Sequence, residues 1–229
     1  MKTNNNKIRL ILLLYAVVAV IGGFSCSNEP TLAGGATGAG NAAVSGHALY
    51  PDNSPVKNAL VRVRPEGYVT DTTGQSFPSQ PENIMNCSTD SSGTFHIDSL
   101  EQGTYCIEIL DEDRDHGTLI RLDYSDTGNV ILEPRVVTPV KNITGTVSVS
   151  GLPGNSWVQI YGIEALGKTD SLGRFEIDNL PIGNCEHNEC EFRLRILTVK
   201  NGTSISTDYE VEIESGSSGS AVEIEMEDD

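Results

Sequence analysis

Thr89-Asp90-Ser91-Ser92-Gly93-Thr94-Phe95-His96-Ile97-Asp98-Ser99-Leu100-Glu101-Gln102-Gly103 is written again 80 residues later. The second copy is Thr169-Asp170-Ser171-Leu172-Gly173-Arg174-Phe175-Glu176-Ile177-Asp178-Asn179-Leu180-Pro181-Ile182-Gly183. Nine of the fifteen positions are identical, more than shared composition produces, so the chain carries an internal repeat. The motif reads mechanically. Thr-Asp-Ser-x-Gly is a hairpin turn, in which Asp bonds its own backbone two residues on and Gly supplies a positive φ. Phe-x-Ile then points alternate side chains inward, and Leu-x-x-Gly turns the chain into a further strand.

Working outward, each copy opens alike, with Val44-Ser45-Gly46 matching Ile143-Thr144-Gly145. A β-rich run follows, Asn58 to Val63 in one copy and Asn155 to Ile160 in the other. After the motif comes an alternating strand, Tyr105, Ile107, Ile109 against Phe192, Leu194, Ile196. Its other face carries Cys106 and Glu108, or Arg193 and Arg195, and is expected to meet solvent. The second copy closes with Val211 and Ile213, a Ser/Gly turn over 215–220, and Val222, Ile224 and Met226, read as paired strands. Alternation at a period of two predicts an all-β chain of two tandem antiparallel β-sandwiches, over 42–134 and 135–229, each sheet with one buried side.

The full pattern, Gly-x-Val … Pro-x-x-x-Ala-x-Val-x-Val … Thr-Asp-Ser-x-Gly-x-Phe-x-Ile-x-x-Leu-x-x-Gly-x-Tyr, resembles the carboxypeptidase regulatory-like family. The resemblance covers both units and implies transthyretin-like or Ig-like sandwiches, related to modules with a carbohydrate-binding-like fold. It implies a non-catalytic spacer or interaction module and says little about a ligand. The first unit departs from the pattern by an insertion, Pro65 to Asn86, and the second by Asn184 to Glu189.

The N-terminus gives an address. Lys2 and Lys7 precede an apolar run from Ile8 to Ile21 broken only by Arg9, and small residues lead to Cys26. A basic head, a short apolar stretch and small residues before a cut make residues 1–25 a secretory signal. The run is shorter than the roughly 20 residues a membrane span needs. Cys26 at the cut resembles the acceptor of a bacterial lipoprotein, which implies a lipid anchor on the cell envelope, periplasmic or at the surface. Residues 26–41, with Thr31 to Asn41 rich in Gly and Ala, read as a flexible tether. The 15 Lys+Arg against 32 Asp+Glu leave a net charge of -17, which repels phosphate backbones and excludes nucleic acid as a partner. The expected partners are the membrane, through the anchor, and a polysaccharide or cell-envelope protein.

Four cysteines follow Cys26, an even number in an oxidising compartment, and predict two disulfides. Cys185 and Cys190 flank a short inserted loop; the competing reading is a metal site with His187, which falls short of the four ligands of structural zinc. Cys87 and Cys106 make the other local pair, tying the long insertion to the outer sheet face, with unpaired thiols or a bond to the second unit as alternatives. Asp111, Asp113 and Asp115 space carboxylates like positions 1, 3 and 5 of a calcium loop; no cofactor is otherwise expected. Gly117 comes one place late, however, and Leu122 stands where a bidentate acid is required, so a solvated hairpin tip is the competing reading. Trp157, Gln159 and Tyr161 share the outer side of one strand, about 13 Å from ring to ring at strand spacing. They are candidates for stacking on sugar rings, against a packing role between the units. His47, His96, His116 and His187 fall in no catalytic spacing, and no nucleophile elbow or phosphate-binding glycine loop is present, so an enzyme is not expected.

Overall fold

The computed structural model describes residues 25–26, 42–72, 84–125, 128–149, 152–153, 155–182, 189–200, 203–214 and 220–226. Every regular element among them is a strand. The first are β1 (Ser25–Cys26), β2 (Ala42–Leu49), β3 (Leu60–Pro65), β4 (Met85–Ser88), β5 (Thr94–Leu100), β6 (Gly103–Leu110) and β7 (His116–Tyr124). Three short strands, β8 (Val130–Ile131), β9 (Arg135–Val136) and β10 (Thr138–Pro139), lead onward. The remainder are β11 (Lys141–Val149), β12 (Leu152–Pro153), β13 (Ser156–Ile160), β14 (Leu166–Lys168), β15 (Arg174–Leu180), β16 (Glu189–Lys200), β17 (Thr203–Glu214) and β18 (Ser220–Met226).

These strands make two sandwiches. In the first lobe one sheet runs β1-β5-β2-β8, with β9 also on β2, and the other runs β10-β7-β6-β3-β4. In the second, β11 carries β12, β15 and β18, facing a sheet of order β14-β13-β16-β17. Each lobe fills its own core: Val44, Val61, Phe95, Ile97, Ile107 and Ile109 in one, Ile143, Val158, Phe175, Ile177, Leu194 and Ile196 in the other. Large-to-small changes at such positions cost about 2–5 kcal/mol, which makes these side chains the main support of each lobe.

The repeated motif works the same way twice. Asp90 Oδ1 accepts the backbone N–H groups of Ser92 and Thr94, and Asp170 Oδ1 those of Leu172 and Arg174. Those bonds hold both carboxyls below the ordinary range; the Ser92 hydroxyl is the leading cause at Asp90 and the Arg174 N–H at Asp170. Gly93 and Gly173 stand at φ of 80° and 77°, the left-handed region the turn requires. The preceding threonines are buried cross-ties rather than turn residues. Thr89 Oγ1 accepts the Ala59 N–H and donates to the Val56 carbonyl, and Thr169 Oγ1 accepts the Ser156 N–H. Gly46 and Gly145 lie under the rings of Phe95 and Phe175, where an added Cβ would come within 2.7 and 2.6 Å of ring carbons.

The pairing of the closing strands differs from expectation. β17 and β18 do not pair as a hairpin. β17 pairs antiparallel with β16, while β18 crosses to the opposite sheet and runs parallel to β11. Ile224 and Met226 thereby reach the core from the other side, which period-two alternation alone does not distinguish. The sandwiches are therefore not purely antiparallel, since β8 and β9 join β2 in the same parallel sense. The packing of the first lobe also runs past residue 134: Val137 belongs to its core, β9 pairs with β2, and β10 pairs with β7.

Candidate functional site

The outer faces of the β3–β6–β7 and β13–β16 sheets meet each other. On β3, Val61 and Val63 face the core, so Arg62 and Arg64 must face out, opposite Glu108 and Cys106 on β6. Arg64 is 3% exposed and donates from Nη1 to Glu108 Oε2 and from Nη2 to Glu164 Oε2, both at 2.9 Å. Glu164 belongs to the second lobe, in the turn between β13 and β14. Arg62 adds longer contacts to the same two carboxylates, at 3.5 and 3.7 Å, and Tyr68 lies under the Arg64 guanidinium. Two cations and two anions thus satisfy one another; a buried charge left unpaired is among the costliest defects in a fold.

Backbone contacts complete the joint. The Gly162 N–H donates to the Tyr68 carbonyl at 2.8 Å, the Gln159 amide to the Thr70 carbonyl, and the Arg121 guanidinium to the Glu191 carbonyl. Gly117 abuts Pro181, and Leu119 packs on the core of the second lobe. Tyr68 and Thr70 come from the first part of the long insertion, which here serves as a strap across the joint. A cleft of about 290 Å³ remains at its margin, lined by Glu66, Cys106, Arg121, Tyr161, Arg193 and Glu210 among others.

This arrangement changes several expectations. Cys106 and Glu108 are buried, because what covers their face is the other lobe. Cys106 is a free thiol and makes no bond to Cys87, which is disulfide-bonded as expected but not to this partner. Cys87 lies opposite Val61 on β4 and belongs to the first core, whereas Cys106 lies opposite Arg64 on the far side of β3 and points the other way. Two side chains on opposite faces of one sheet, separated by a strand, cannot meet the geometry of a disulfide. Burial pushes the Cys106 thiol up to about 11. Cys185 and His187 lie outside the described residues, as does the side chain of Cys190, and so do residues 1–24 and 27–41 of the signal and tether. Ser25 and Cys26 form the short strand β1, parallel to β5.

Of Asp111, Asp113 and Asp115, the first is committed to its own hairpin. Asp111 is buried, and its Oδ1 accepts the N–H groups of Asp115 and His116 while Oδ2 faces His116 Nδ1 at 3.2 Å. Arg114 in the same hairpin stands at φ 60°, and among the described residues no group of three acids, cysteines or histidines placed to hold a metal is found. In the aromatic row each member has a partner within the chain. Lys168 covers the Trp157 ring at 4.9 Å, and Gln159 is buried against the first lobe. At Tyr161, Arg193 stacks on the ring and Asp208 accepts from the hydroxyl at 2.9 Å. His96, by contrast, stays exposed, beside Asp98. Sequence reasoning missed Arg64, Glu108, Gly162 and Glu164; the available signal was a pair of arginines alternating with core valines on a strand expected to be wet.

No protein-family model matches this sequence, and no curated protein matches it. Among solved structures, the chain is similar to a streptococcal ancillary pilin (TM-score 0.36, 14% identity, covering 81% of this chain and 62% of the pilin). It is also similar to the minor pilin GBS52 of Streptococcus agalactiae (TM-score 0.34, 12% identity, 81% and 95% covered). A third is a Bacteroides uniformis protein named a candidate carbohydrate-binding protein (TM-score 0.31, 11% identity, 76% and 98% covered). Likeness at these levels transfers no function.

Proposed function

We propose that this chain is a non-catalytic module of a bacterial cell envelope, fixed to a membrane by lipid at Cys26, whose two repeats are locked into one stiff unit that presents a surface to a partner. The observation that carries this reading is the joint. The outer sheet faces, where a lone sandwich of this kind would offer a binding surface, are spent on each other through Arg64, Glu108 and Glu164. Their pairing is internal, with Arg64 and Glu108 buried and Glu164 at the margin, which suits a spacer better than a reactive or ligand-exchanging site. Asp111, Gln159 and Tyr161, raised above for metal or sugar chemistry, have hydrogen-bond partners within the chain, which supports this reading.

The test has two arms. Metabolic labelling with a fatty acid should mark the wild type and not Cys26→Ala, and the variant should leave the membrane fraction. Spin labels at the exposed positions Ile131 and Leu172, one on each lobe, should give a single narrow distance distribution. A broad distribution would show hinged lobes and end the stiff-unit reading; an unlabelled wild type would end the anchor.

A further inference from the structure

The second lobe has a long strand edge whose counterpart in the first lobe, β7, takes an added strand at one end. β17 is 12 residues long, about 40 Å of extended chain, and among the described residues it pairs only with β16. Register fixes the equivalence between the lobes. Tyr105 and Ile109 on β6 face Leu122 and Thr118 on β7, as Phe192 and Ile196 on β16 face Val211 and Thr207 on β17. Gly117 and His116 therefore correspond to Ser206 and Ile205. In the first lobe those two positions take an added strand, β10, through Thr138 and Pro139. In the second lobe the same positions have no such neighbour among the described residues.

The chemistry of this edge selects its occupant. Toward the core side, Ile205, Tyr209 and Val211 are only half-buried at the rim of the hydrophobic cluster. Toward solvent, Ser206, Asp208 and Glu210 on β17 are exposed, and Glu191 on β16 adds an acid to the same face. The basic groups facing them are Arg193, bonded to Asp208 at 2.6 Å, and Arg195. Three acids against two bases, on a chain of net charge -17, leave this face negative. A second copy adding edge to edge would set Asp208 and Glu210 against themselves, the usual way natural edges reject self-pairing. A segment alternating basic with apolar side chains would instead meet acids on one face and cover the half-buried rim on the other.

We propose that the outer edge of β17, from Ile205 to Val211, accepts an extended segment of a partner protein that alternates Lys or Arg with apolar residues, by adding it as a strand. This deepens the reading of the chain as an interaction module and rests on it only for where the partner resides. The probe is a synthetic heptapeptide, Thr-Lys-Val-Lys-Val-Lys-Thr, titrated into the full mature chain by fluorescence anisotropy, with hydrogen exchange read along the backbone. Binding should slow exchange of amides in 203–211. It should weaken at least tenfold when alternate peptide nitrogens are methylated, which keeps the charge and removes the ladder, and likewise when Glu replaces Lys. Glu210→Lys should lower affinity for the lysine peptide. Equal binding of the methylated peptide would reduce the interaction to charge attraction and overturn the proposal, as would protection elsewhere or no binding at millimolar peptide. Such a failure leaves the acyl-label and spin-label results untouched.

Discussion

Substituting alanine for Gly162 tests the joint at its tightest point. Gly162 has φ of 80°, and its N–H is bonded to Tyr68 of the other lobe. A residue with a Cβ pays about 1–2 kcal/mol to hold a left-handed backbone. The new methyl would also stand 2.9 Å from Cys106 Cβ and closer still to Sγ, well inside carbon contact distance. Overpacking of this kind costs about 1–3 kcal/mol. Gly162→Ala is therefore expected to lose about 2–5 kcal/mol, limited by the point at which the lobes part instead of absorbing the strain. Guanidinium denaturation measures the loss. Iodoacetamide labelling at pH 8, with Cys106 identified by peptide mass, measures the parting, because a thiol raised to about 11 and covered is inert until the joint opens. The double-mutant cycle isolates the clash: in a Cys106→Gly background Gly162→Ala should cost only its backbone share, about 1–2 kcal/mol. Wild-type stability with unchanged labelling in Gly162→Ala, or the same cost in both backgrounds, would refute the packing described between Gly162 and Cys106.

Two further outcomes follow from the same contacts. Arg64→Met leaves Glu108 buried with only the longer Arg62 contact, so the loss should fall near the lower end of about 3–5 kcal/mol, and Arg64→Met/Glu108→Leu should recover most of it in denaturation curves. The turn carboxyls set an acid limit. Asp90 and Asp170 are held below their unfolded values, so their stabilisation is present above about pH 4 and is lost as pH falls through the lower folded values. Asp90→Asn/Asp170→Asn should therefore show a shallower loss of stability between about pH 4 and pH 2 than the wild type, measured by denaturation at stepped pH.

The sequence by itself determined each lobe: the Thr-Asp-x-x-Gly turn, the Phe-x-Ile strand and the Leu-x-x-Gly turn are local devices, set by hydrogen bonds and φ values within a few residues. Their duplication carried the all-β class with it. Alternation on β6 correctly put Ile107 and Ile109 on one side and Cys106 and Glu108 on the other. It could not say what lay over that other side. A period of two sorts side chains between faces, but whether a face meets water or protein depends on residues a hundred positions away, such as Glu164 against Arg64. The same limit explains Trp157, Gln159 and Tyr161, whose shared face was legible and whose covering by Lys168, Thr70 and Arg193 was not. It explains β18 as well, since its alternating pattern fits either sheet and only the crossing of the sandwich decided which. Tertiary structure decided these points because burial belongs to pairs of surfaces, and a strand carries only one of them.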